Sequence, residues 1–306
     1  MPKLTTPLLR NGVRIDASFA EAFGMRATAV IITAPNLKWA RQAAVTMTGF
    51  ATSVIGCGCE AGIDAHLSAD ITPDGRPGVR VLIFAMSTDA LQKALSDRVG
   101  QAVLTCPGTA CYNGLAGSEG LELGDALRGF ADGFQISKRH EGRHIWRLPV
   151  MDGEFLCEAT CAMTRDAVGG GNLLVMGASP AATMRAAEAG VAAMQGVAGA
   201  IMPFPGGIVR SGSKVGSKYP GQSASTNEAY CPSLRGAVAS ALDDDVASVL
   251  EIVIDGLDYA AVAAAMRAGL KAMIALGPER GAVRIGAGNY GGKLGPHHFH
   301  LADLVP

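Results

Sequence analysis

The sequence has few charged and few aromatic residues, and neither sign of charge dominates. Charged residues make up 17% of the 306 residues, aromatic residues make up 5%, and the formal net charge is −1. Without a basic surplus there is no field that would attract nucleic acid or an acidic membrane surface. No apolar run approaches membrane-spanning length, and the N-terminus lacks the long apolar core of a signal peptide. We therefore expect a cytoplasmic protein with neither nucleic acid nor membrane as a partner.

Small and apolar residues are abundant instead. The chain is 49% hydrophobic and has 40 glycines, a composition typical of a globular protein with a large core of small side chains. Seven cysteines without a secretion signal indicate reduced thiols. The pairs Cys57/Cys59 and Cys157/Cys161 lack a second pair at zinc-ligand spacing, so we predict no metal site.

The two halves of the chain repeat the same order of predicted elements. In the first half, apolar runs predict strands at Thr28–Ala34, Ala51–Gly56, Val79–Ala85 and Ala102–Cys106. In the second half, strands are predicted at Asn172–Met176, Ala198–Met202, Ser248–Ile254 and Ala282–Ile285. Helices are predicted after the capping residues Asn36, Thr88, Ser179 and Asp258.

This order predicts an α/β (α+β) fold of two tandem ferredoxin-like lobes. Each half is expected to hold two βαβ units, and right-handed crossovers then give the split βαβ arrangement. In that arrangement an antiparallel sheet carries its helices on one face. We place the lobes at residues 1–150 and 151–306, joined around Gly142–Gly171.

The glycine-rich stretch Pro203–Tyr219, PFPGGIVRSGSKVGSKY, is the first candidate for a binding site. Glycines let a backbone approach a ligand closely, and the serines and lysines supply donors and positive charge. A P-loop is excluded because Ser213-Lys214 reverses the required order and no apolar helix follows. A flexible surface loop remains the alternative. The candidate ligand-binding residues of this stretch are Gly206, Gly207, Ser211, Gly212, Ser213 and Lys214.

Two further features carry chemical groups. Glu251 lies inside the apolar run SVLEIVI, so its carboxyl either faces water on the open side of a sheet or is desolvated with a raised pKa. The segment Asn289–Gly295, NYGGKLG, adds Asn289, Tyr290 and Lys293 as possible donors. Its alternative interpretation is an ordinary loop after the last strand.

Eight motifs occur in order along the chain: FAEAF, EAGI, TPDGRPG, GGGN, PFPGGIVRSGSKVG, CPSL, EIVIDG and GNYGGKLG. Together they resemble formylmethanofuran–tetrahydromethanopterin formyltransferase, over nearly the whole chain. The resemblance implies two ferredoxin-like lobes and transfer of a formyl group between methanofuran and tetrahydromethanopterin. It implies that both carriers are substrates and that no metal or prosthetic group is permanently bound. It also implies that Glu251, in EIVIDG, lies at the reacting carbon as the acid–base residue.

The near-neutral composition is more similar to the bacterial branch of this family, whose members are the formyltransferase component of a formyltransferase/hydrolase complex. That branch implies transfer from the pterin to a methanofuran-type carrier during formaldehyde oxidation, followed by hydrolysis to formate on a partner subunit. The resemblance, together with open sheet faces that need cover, predicts a homo-oligomer, a tetramer. The alternative function is a non-catalytic small-ligand-binding or scaffold subunit of a one-carbon enzyme complex, because a fold alone does not fix a function.

Overall fold

Seven α-helices and seventeen strands occur in residues 7–117, 120–140, 142–212 and 214–305, which this computed structural model describes. The helices are α1 Leu37–Thr48, α2 Val54–Cys57, α3 Thr88–Arg98, α4 Gly124–Leu127, α5 Pro180–Met194, α6 Tyr259–Arg280 and α7 Leu301–Leu304. The first nine strands are β1 Leu8–Arg10, β2 Val13–Ile15, β3 Phe19–Thr33, β4 Glu60–Leu67, β5 Gly78–Ala85, β6 Ala110–Asn113, β7 Gly120–Glu122, β8 Ile136–His140 and β9 Arg143–Val150. The remaining strands are β10 Gly153–Glu158, β11 Thr160–Gly177, β12 Ala200–Ile201, β13 Lys214–Val215, β14 Ala224–Ser225, β15 Ser248–Gly256, β16 Arg284–Gly286 and β17 His297–His300.

Side-chain caps fix the starts of the four longest helices. The predicted caps Asn36, Ser179 and Asp258 each accept a hydrogen bond from a backbone N–H in the first turn. Such bonds satisfy donors that the helix itself cannot pair. The start of α3 differs by one residue, because Ser87 rather than Thr88 is the cap.

Two of the predicted strands are wrong. In Ala51–Gly56, Ser53 caps the short helix α2, and the strand follows later as β4. In Ala102–Cys106, the apolar residues continue the helical segment begun by α3, and the strand is β6 instead. Periodicity cannot separate a short buried strand from a buried helix end, which explains both errors.

The contacts divide the chain into two compact units. Unit 1 combines Met1–Gly24 with Val168–Pro306, and unit 2 is Met25–Ala167. This division differs from a cut near residue 150, because the first strands and the second half of the chain belong to the same unit. The lobe limits 1–150 and 151–306 stay a prediction.

In unit 2, the central strands are ordered β6–β3–β5–β4 and are antiparallel to one another. Strands β10, β9 and β8 extend this sheet beyond β6. Helices α1 and α3 cover one face, where fully buried side chains such as Ile32, Met47, Ile83 and Leu95 form the core.

In unit 1, the strands are ordered β1–β2–β16–β11–β15–β12, and only β2 and β16 are parallel. Helices α5 and α6 pack on each other and on β15, burying Ile252, Ile254, Met266 and Leu270. The mixture of helices with mostly antiparallel sheet, expected from the sequence, is confirmed in both units.

Among the described helices, one is long and apolar enough to cross a membrane by length and composition, namely α6. It is a core helix here, since its apolar side chains belong to the main apolar cluster of unit 1. Its regular part ends at Gly277, which has a left-handed φ of 68°, followed by Pro278. The Asn11 side-chain amide donates a 2.9 Å hydrogen bond to the carbonyl of Ile274 and so satisfies one acceptor at this helix end.

Candidate active site

Glu251 lies in the middle of β15, where its backbone is fixed on both sides. It is paired with Leu174 of the neighbouring strand β11. On its other side it exchanges two backbone hydrogen bonds, both 2.8 Å, with Val209. A backbone held by two neighbours gives the side chain a rigid mount, as a functional group requires.

The Glu251 side chain lies on the sheet face opposite the helices. The adjacent residue Ile252 is fully buried in the helix-covered core, and side chains alternate between the two faces of a strand. On the face of Glu251, Leu174 and Val249 belong to a separate small apolar cluster. Glu251 is therefore a carboxyl group on a largely apolar surface.

Burial among these neighbours raises the pKa of Glu251 from an ordinary value of 4.5 to about 7. Within the described residues, no hydrogen bond or ion pair compensates the charged form of its carboxyl. Desolvation without a compensating partner disfavours the carboxylate. Near neutral pH, Glu251 is thus a carboxyl group that can hold a proton and give it up. Of the two alternatives left open by the sequence, these surroundings favour the desolvated carboxyl.

A small cavity of about 30 Å³ adjoins Glu251. It brings together two features that the sequence marked separately, since Ser211 and Gly212 of the glycine-rich stretch line it with Glu251. Its lining also includes groups that were not among the candidates, namely Asn227, Tyr230 and Cys231. These three residues follow the glycine-rich stretch in sequence, but no local pattern connected them to Glu251. A volume of this size holds about one water-sized group.

The two other glycines of the stretch, Gly206 and Gly207, form a turn at Pro205–Gly207 and do not line this cavity. Gly207 has a left-handed φ of 79°, and a Cβ placed on it would lie 2.8 Å from the Val191 side chain of α5. Close packing therefore explains Gly207. Gly206 has a φ of 64°, with open space around the position of a Cβ.

Lys214 already has a partner in the structure. Its ammonium donates hydrogen bonds of 2.6 and 2.7 Å to the two carboxylate oxygens of Glu228. Both side chains are more than one third exposed, so water and salt screen this pair. An anionic ligand must share Lys214 with Glu228 or displace it. The neighbouring candidate Ser213 lies outside the described residues.

The segment Asn289–Gly295 is held by a residue that was not a candidate, Glu21 of β3. The Glu21 side chain is fully buried, and its carboxylate accepts hydrogen bonds from four backbone N–H groups of this segment. Burial acts to raise the pKa of Glu21, but these four hydrogen bonds lower it to about 2. The backbone donors of Tyr290 and Gly292 are thus already used inside the protein. In the sequence, Glu21 stands between the two alanines of the motif FAEAF. A carboxyl between small apolar residues of a strand is the signal that could have identified it.

The three candidate side chains of this segment remain exposed, namely those of Asn289, Tyr290 and Lys293. Tyr290 is 37% exposed, and the burial of its remaining part raises the pKa of the phenol, which the negative charges of Glu251 and Glu21 raise further. The Tyr290 ring lies 6.1 Å from the ring of Phe23, measured between centroids. The backbone of Tyr290 contacts Glu21 directly, through the 2.7 Å hydrogen bond from its N–H to the carboxylate.

A larger cavity of about 460 Å³ lies in unit 2, on strands β6, β8, β9 and β10. Its floor contains Tyr112, Ile145 and Leu156, and its rim carries basic and acidic side chains. Two of the rim cations are already paired, because Arg147 contacts Glu154 and Arg143 contacts Glu158. The volume is in the range of small-molecule sites. Pro73 and Asp74 of the motif TPDGRPG line it, but none of the candidate binding residues that the structure describes does.

Two family models match adjoining parts of the chain. The model described as formylmethanofuran-tetrahydromethanopterin formyltransferase matches residues 8–150, and the model described as "FTR, proximal lobe" matches residues 153–304. This chain belongs to the formylmethanofuran–tetrahydromethanopterin formyltransferase family. The family inferred from the eight motifs is therefore confirmed.

Relatives within this formyltransferase family match over almost their full length. A protein of Methylorubrum extorquens, named as a subunit of the formyltransferase/hydrolase complex, is 57% identical over 300 residues, which are 96% of each protein. A crystal structure of the formyltransferase/hydrolase complex from the same bacterium, in complex with methylofuran, matches with a TM-score of 0.96 and 56% identity, covering 98% of this chain and 99% of that one. The formyltransferase of Methanosarcina barkeri matches with a TM-score of 0.91 and 44% identity, covering 97% and 100%. The higher identity to the Methylorubrum chain agrees with the predicted bacterial branch.

Within the part of the chain that the structure describes, no group of three or more His, Cys, Asp or Glu side chains is placed to hold a metal ion. Among the side chains that line the cavity at Glu251, those of Ser211, Asn227 and Tyr230 can form hydrogen bonds.

Proposed function

We propose that this chain transfers a formyl group between tetrahydromethanopterin and methanofuran, or a methanofuran-type carrier. The observation that carries the proposal is Glu251, a carboxyl with a pKa of about 7 on a rigid strand of a formyltransferase family member. Both carriers act as substrates, and no bound cofactor takes part in the proposed reaction.

In the proposed reaction, an amine nitrogen of one carrier attacks the formyl carbon bound to the other. The carbonyl π electrons move to oxygen and give a tetrahedral intermediate with an oxyanion. Glu251 in its neutral form donates a hydrogen bond to that oxygen. It then gives its proton to the leaving nitrogen as the C–N bond breaks, and it recovers a proton from the attacking nitrogen. Catalysis also requires that two large carriers be held together in the correct orientation.

The binding residues are part of the same proposal. Ser211 and Gly212 line the cavity at Glu251 and supply a hydroxyl and a flexible backbone. Lys214 and Lys293 supply positive charge for anionic parts of the carriers, and Asn289 and Tyr290 supply side-chain hydrogen-bond donors. We retain Gly206, Gly207 and Ser213 as candidate contacts in the same stretch.

The test is a spectroscopic assay of the purified protein with both carriers. Formyl transfer changes the ultraviolet spectrum of the pterin, and simple binding leaves its formylation state unchanged. We expect a time-dependent spectral change that is proportional to protein concentration and requires both carriers. A spectral change that saturates at one equivalent, with the pterin recovered in its original formylation state, would instead identify a binding or scaffold subunit. The relatives, which are named as formyltransferases, do not favour that alternative.

The architecture and assembly extend the proposal. We infer two ferredoxin-like lobes, because the orders β6–β3–β5–β4 and β16–β11–β15–β12 both follow the split βαβ pattern. We place these lobes at residues 1–150 and 151–306, in agreement with the matched ranges 8–150 and 153–304.

The partners proposed are further copies of this chain and hydrolase subunits. The support for a complex is the Methylorubrum relative, which is named as a subunit of a formyltransferase/hydrolase complex. We propose a homotetramer within it, located in the cytoplasm, with transfer from the pterin to the methanofuran-type carrier during formaldehyde oxidation. Light scattering that finds a stable, active monomer would contradict the oligomer, and purification without hydrolase subunits would count against the complex.

A further inference from the structure

Glu21 is surrounded by an unusually complete set of backbone donors. Its Oε1 accepts hydrogen bonds from the N–H groups of Leu294 at 2.6 Å and Gly295 at 2.8 Å. Its Oε2 accepts from Tyr290 at 2.7 Å and Gly292 at 2.8 Å. Each oxygen therefore takes two donors, all from one loop of seven residues, Asn289–Gly295.

The backbone of this loop is shaped to wrap around an anion. Gly291 and Gly292 have left-handed φ angles of 83° and 72°, which favour glycine. Gly295 lies directly on β3, where a Cβ would be only 2.3 Å from the carbonyl oxygen of Ala22. Successive N–H groups that converge in this way form a nest, the arrangement by which many proteins bind phosphate or other anions. Here the anion is the carboxylate of Glu21, supplied by the protein itself.

We infer that Glu21 is a positioning residue: it holds the loop Asn289–Gly295 in one conformation and thereby places Asn289, Tyr290 and Lys293, the candidate carrier contacts of this loop. The part that concerns catalysis rests on the proposed formyl transfer. The effect of Glu21 on the loop does not, because it follows from the four hydrogen bonds alone.

The charge of Glu21 matters as well as its shape. A carboxylate only accepts hydrogen bonds, so both of its oxygens can face N–H donors. A glutamine of nearly the same size would present an NH₂ group to two of the four donors and leave them without an acceptor. Buried unpaired donors are costly, so the loop would open to water. An aspartate keeps the negative charge, but its side chain is one methylene shorter, so its oxygens would lie farther from the N–H donors of the loop.

The first experiment needs no substrate. Hydrogen–deuterium exchange of the loop is compared in the parent, Glu21→Gln and Glu21→Asp, with Glu60→Gln as the matched control. Glu60 is also a buried glutamate and also accepts a backbone N–H, from Val54 in unit 2. We expect at least about tenfold faster exchange of the loop in Glu21→Gln, an intermediate rate in Glu21→Asp and the parent rate in Glu60→Gln. A merely space-filling role predicts the opposite order, with Gln near the parent and Asp worse, and that order would overturn the inference.

A second variant covers the case in which Glu21→Gln does not fold. Gly295→Ala leaves the carboxylate in place but pushes the loop away from Ala22, so it should release the same loop. Loop exchange in Gly295→Ala that equals the parent rate would contradict the positioning role.

The second experiment measures formyl transfer and separates kcat from KM. With proteins shown to be fully folded at the assay temperature, we expect kcat of Glu21→Gln to fall on the order of 10- to 100-fold, as for misplaced active-site groups. The KM of a carrier should rise by more than about threefold as well, because the released loop carries the proposed binding residues Asn289, Tyr290 and Lys293, whereas Glu60→Gln should leave both constants unchanged. Unchanged kcat and KM in a variant whose loop is released would refute the connection to formyl transfer. If the parent itself shows no transfer, the proposed function fails, and the exchange experiment still decides the role of Glu21 in the loop.

Discussion

Glu251 and Glu21 are both glutamates on strands of unit 1, and their surroundings move their pKa values in opposite directions. Glu251 has apolar neighbours, and its pKa rises to about 7. Glu21 is more deeply buried, yet its pKa falls to about 2 because four N–H groups stabilise the charge. Burial alone therefore does not decide whether a carboxyl is charged, since the donors around it do. The less buried glutamate is suited to carry a proton, and the more buried one is a fixed anion.

The largest expected effect tests the acid role of Glu251. Glu251→Gln keeps the shape and a hydrogen-bond donor but loses the transferable proton, so turnover should fall on the order of 10²- to 10⁴-fold. Carrier binding should stay close to that of the parent, and Glu251→Ala should be slower still. Glu154→Gln, at a surface ion pair of unit 2, is the control and should turn over normally. Near-parent turnover in the Gln variant would show that another group moves the proton.

The next effect is a pH dependence that belongs to Glu251. Only the protonated carboxyl can donate, and its fraction falls about tenfold per pH unit above the pKa. Turnover should therefore decline as the pH rises through about 7. The residual turnover of Glu251→Gln should be flat over the same range, because an amide does not titrate. The measurement is a kcat profile from about pH 6 to pH 9 for both proteins, and parallel profiles would assign the titration to a different group.

An intermediate effect concerns stability and distinguishes Glu21 from Glu251. A carboxyl whose pKa is lowered by folding stabilises the protein above its unfolded pKa, and this contribution is lost as the pH falls through the folded pKa. The free energy of unfolding of the parent should exceed that of Glu21→Gln by a constant amount above an ordinary pKa of 4.5, and the difference should shrink as the pH approaches 2. Urea titrations of both proteins at several acidic pH values measure it. A difference independent of pH would mean that charge at Glu21 does not hold the loop.

The smallest expected effect is at Lys214, which is paired and partly exposed. Lys214→Ala removes a cation and leaves Glu228 uncompensated, so the KM of an anionic carrier should rise by no more than about fivefold, equivalent to about 1 kcal/mol for an exposed charge. Added salt should reduce the difference from the parent. Lys93→Ala is the matched control, because Lys93 is likewise paired with a surface carboxylate, that of Asp97 in unit 2. Equal KM values for the parent and Lys214→Ala at low salt would make Lys214 an ordinary surface residue.

Local sequence signals predicted local structure well. The caps Asn36, Ser179 and Asp258 act within a single helical turn, and all three predictions are confirmed. The strand predicted at Ala51–Gly56 is wrong because a residue outside this segment determines part of its structure. The Glu60 side chain accepts the N–H of Val54 and stabilises the start of a short helix there.

A residue of the candidate site could be predicted only where the informative pattern lies within one short segment of the sequence. A carboxyl in an apolar strand was enough to select Glu251. The role of Glu21 was not visible, because its partner Gly295 is 274 positions away in the chain. Neither composition nor periodicity reports a contact over that separation, so the sequence alone did not show that the backbone donors of this loop are already used.

The division of unit 1 between the two flanks of unit 2 sets an order of assembly during synthesis on the ribosome. Unit 2 is continuous and can form its contacts once Ala167 has emerged. The Phe19–Ala22 part of β3 is made early, but it must wait for His297–His300, its strand partner, to be translated. Until then Glu21 is a hydrated carboxylate with none of its four donors. The loop that surrounds it follows the whole of unit 2 in the chain, so this loop can close on Glu21 only after unit 2 has been made.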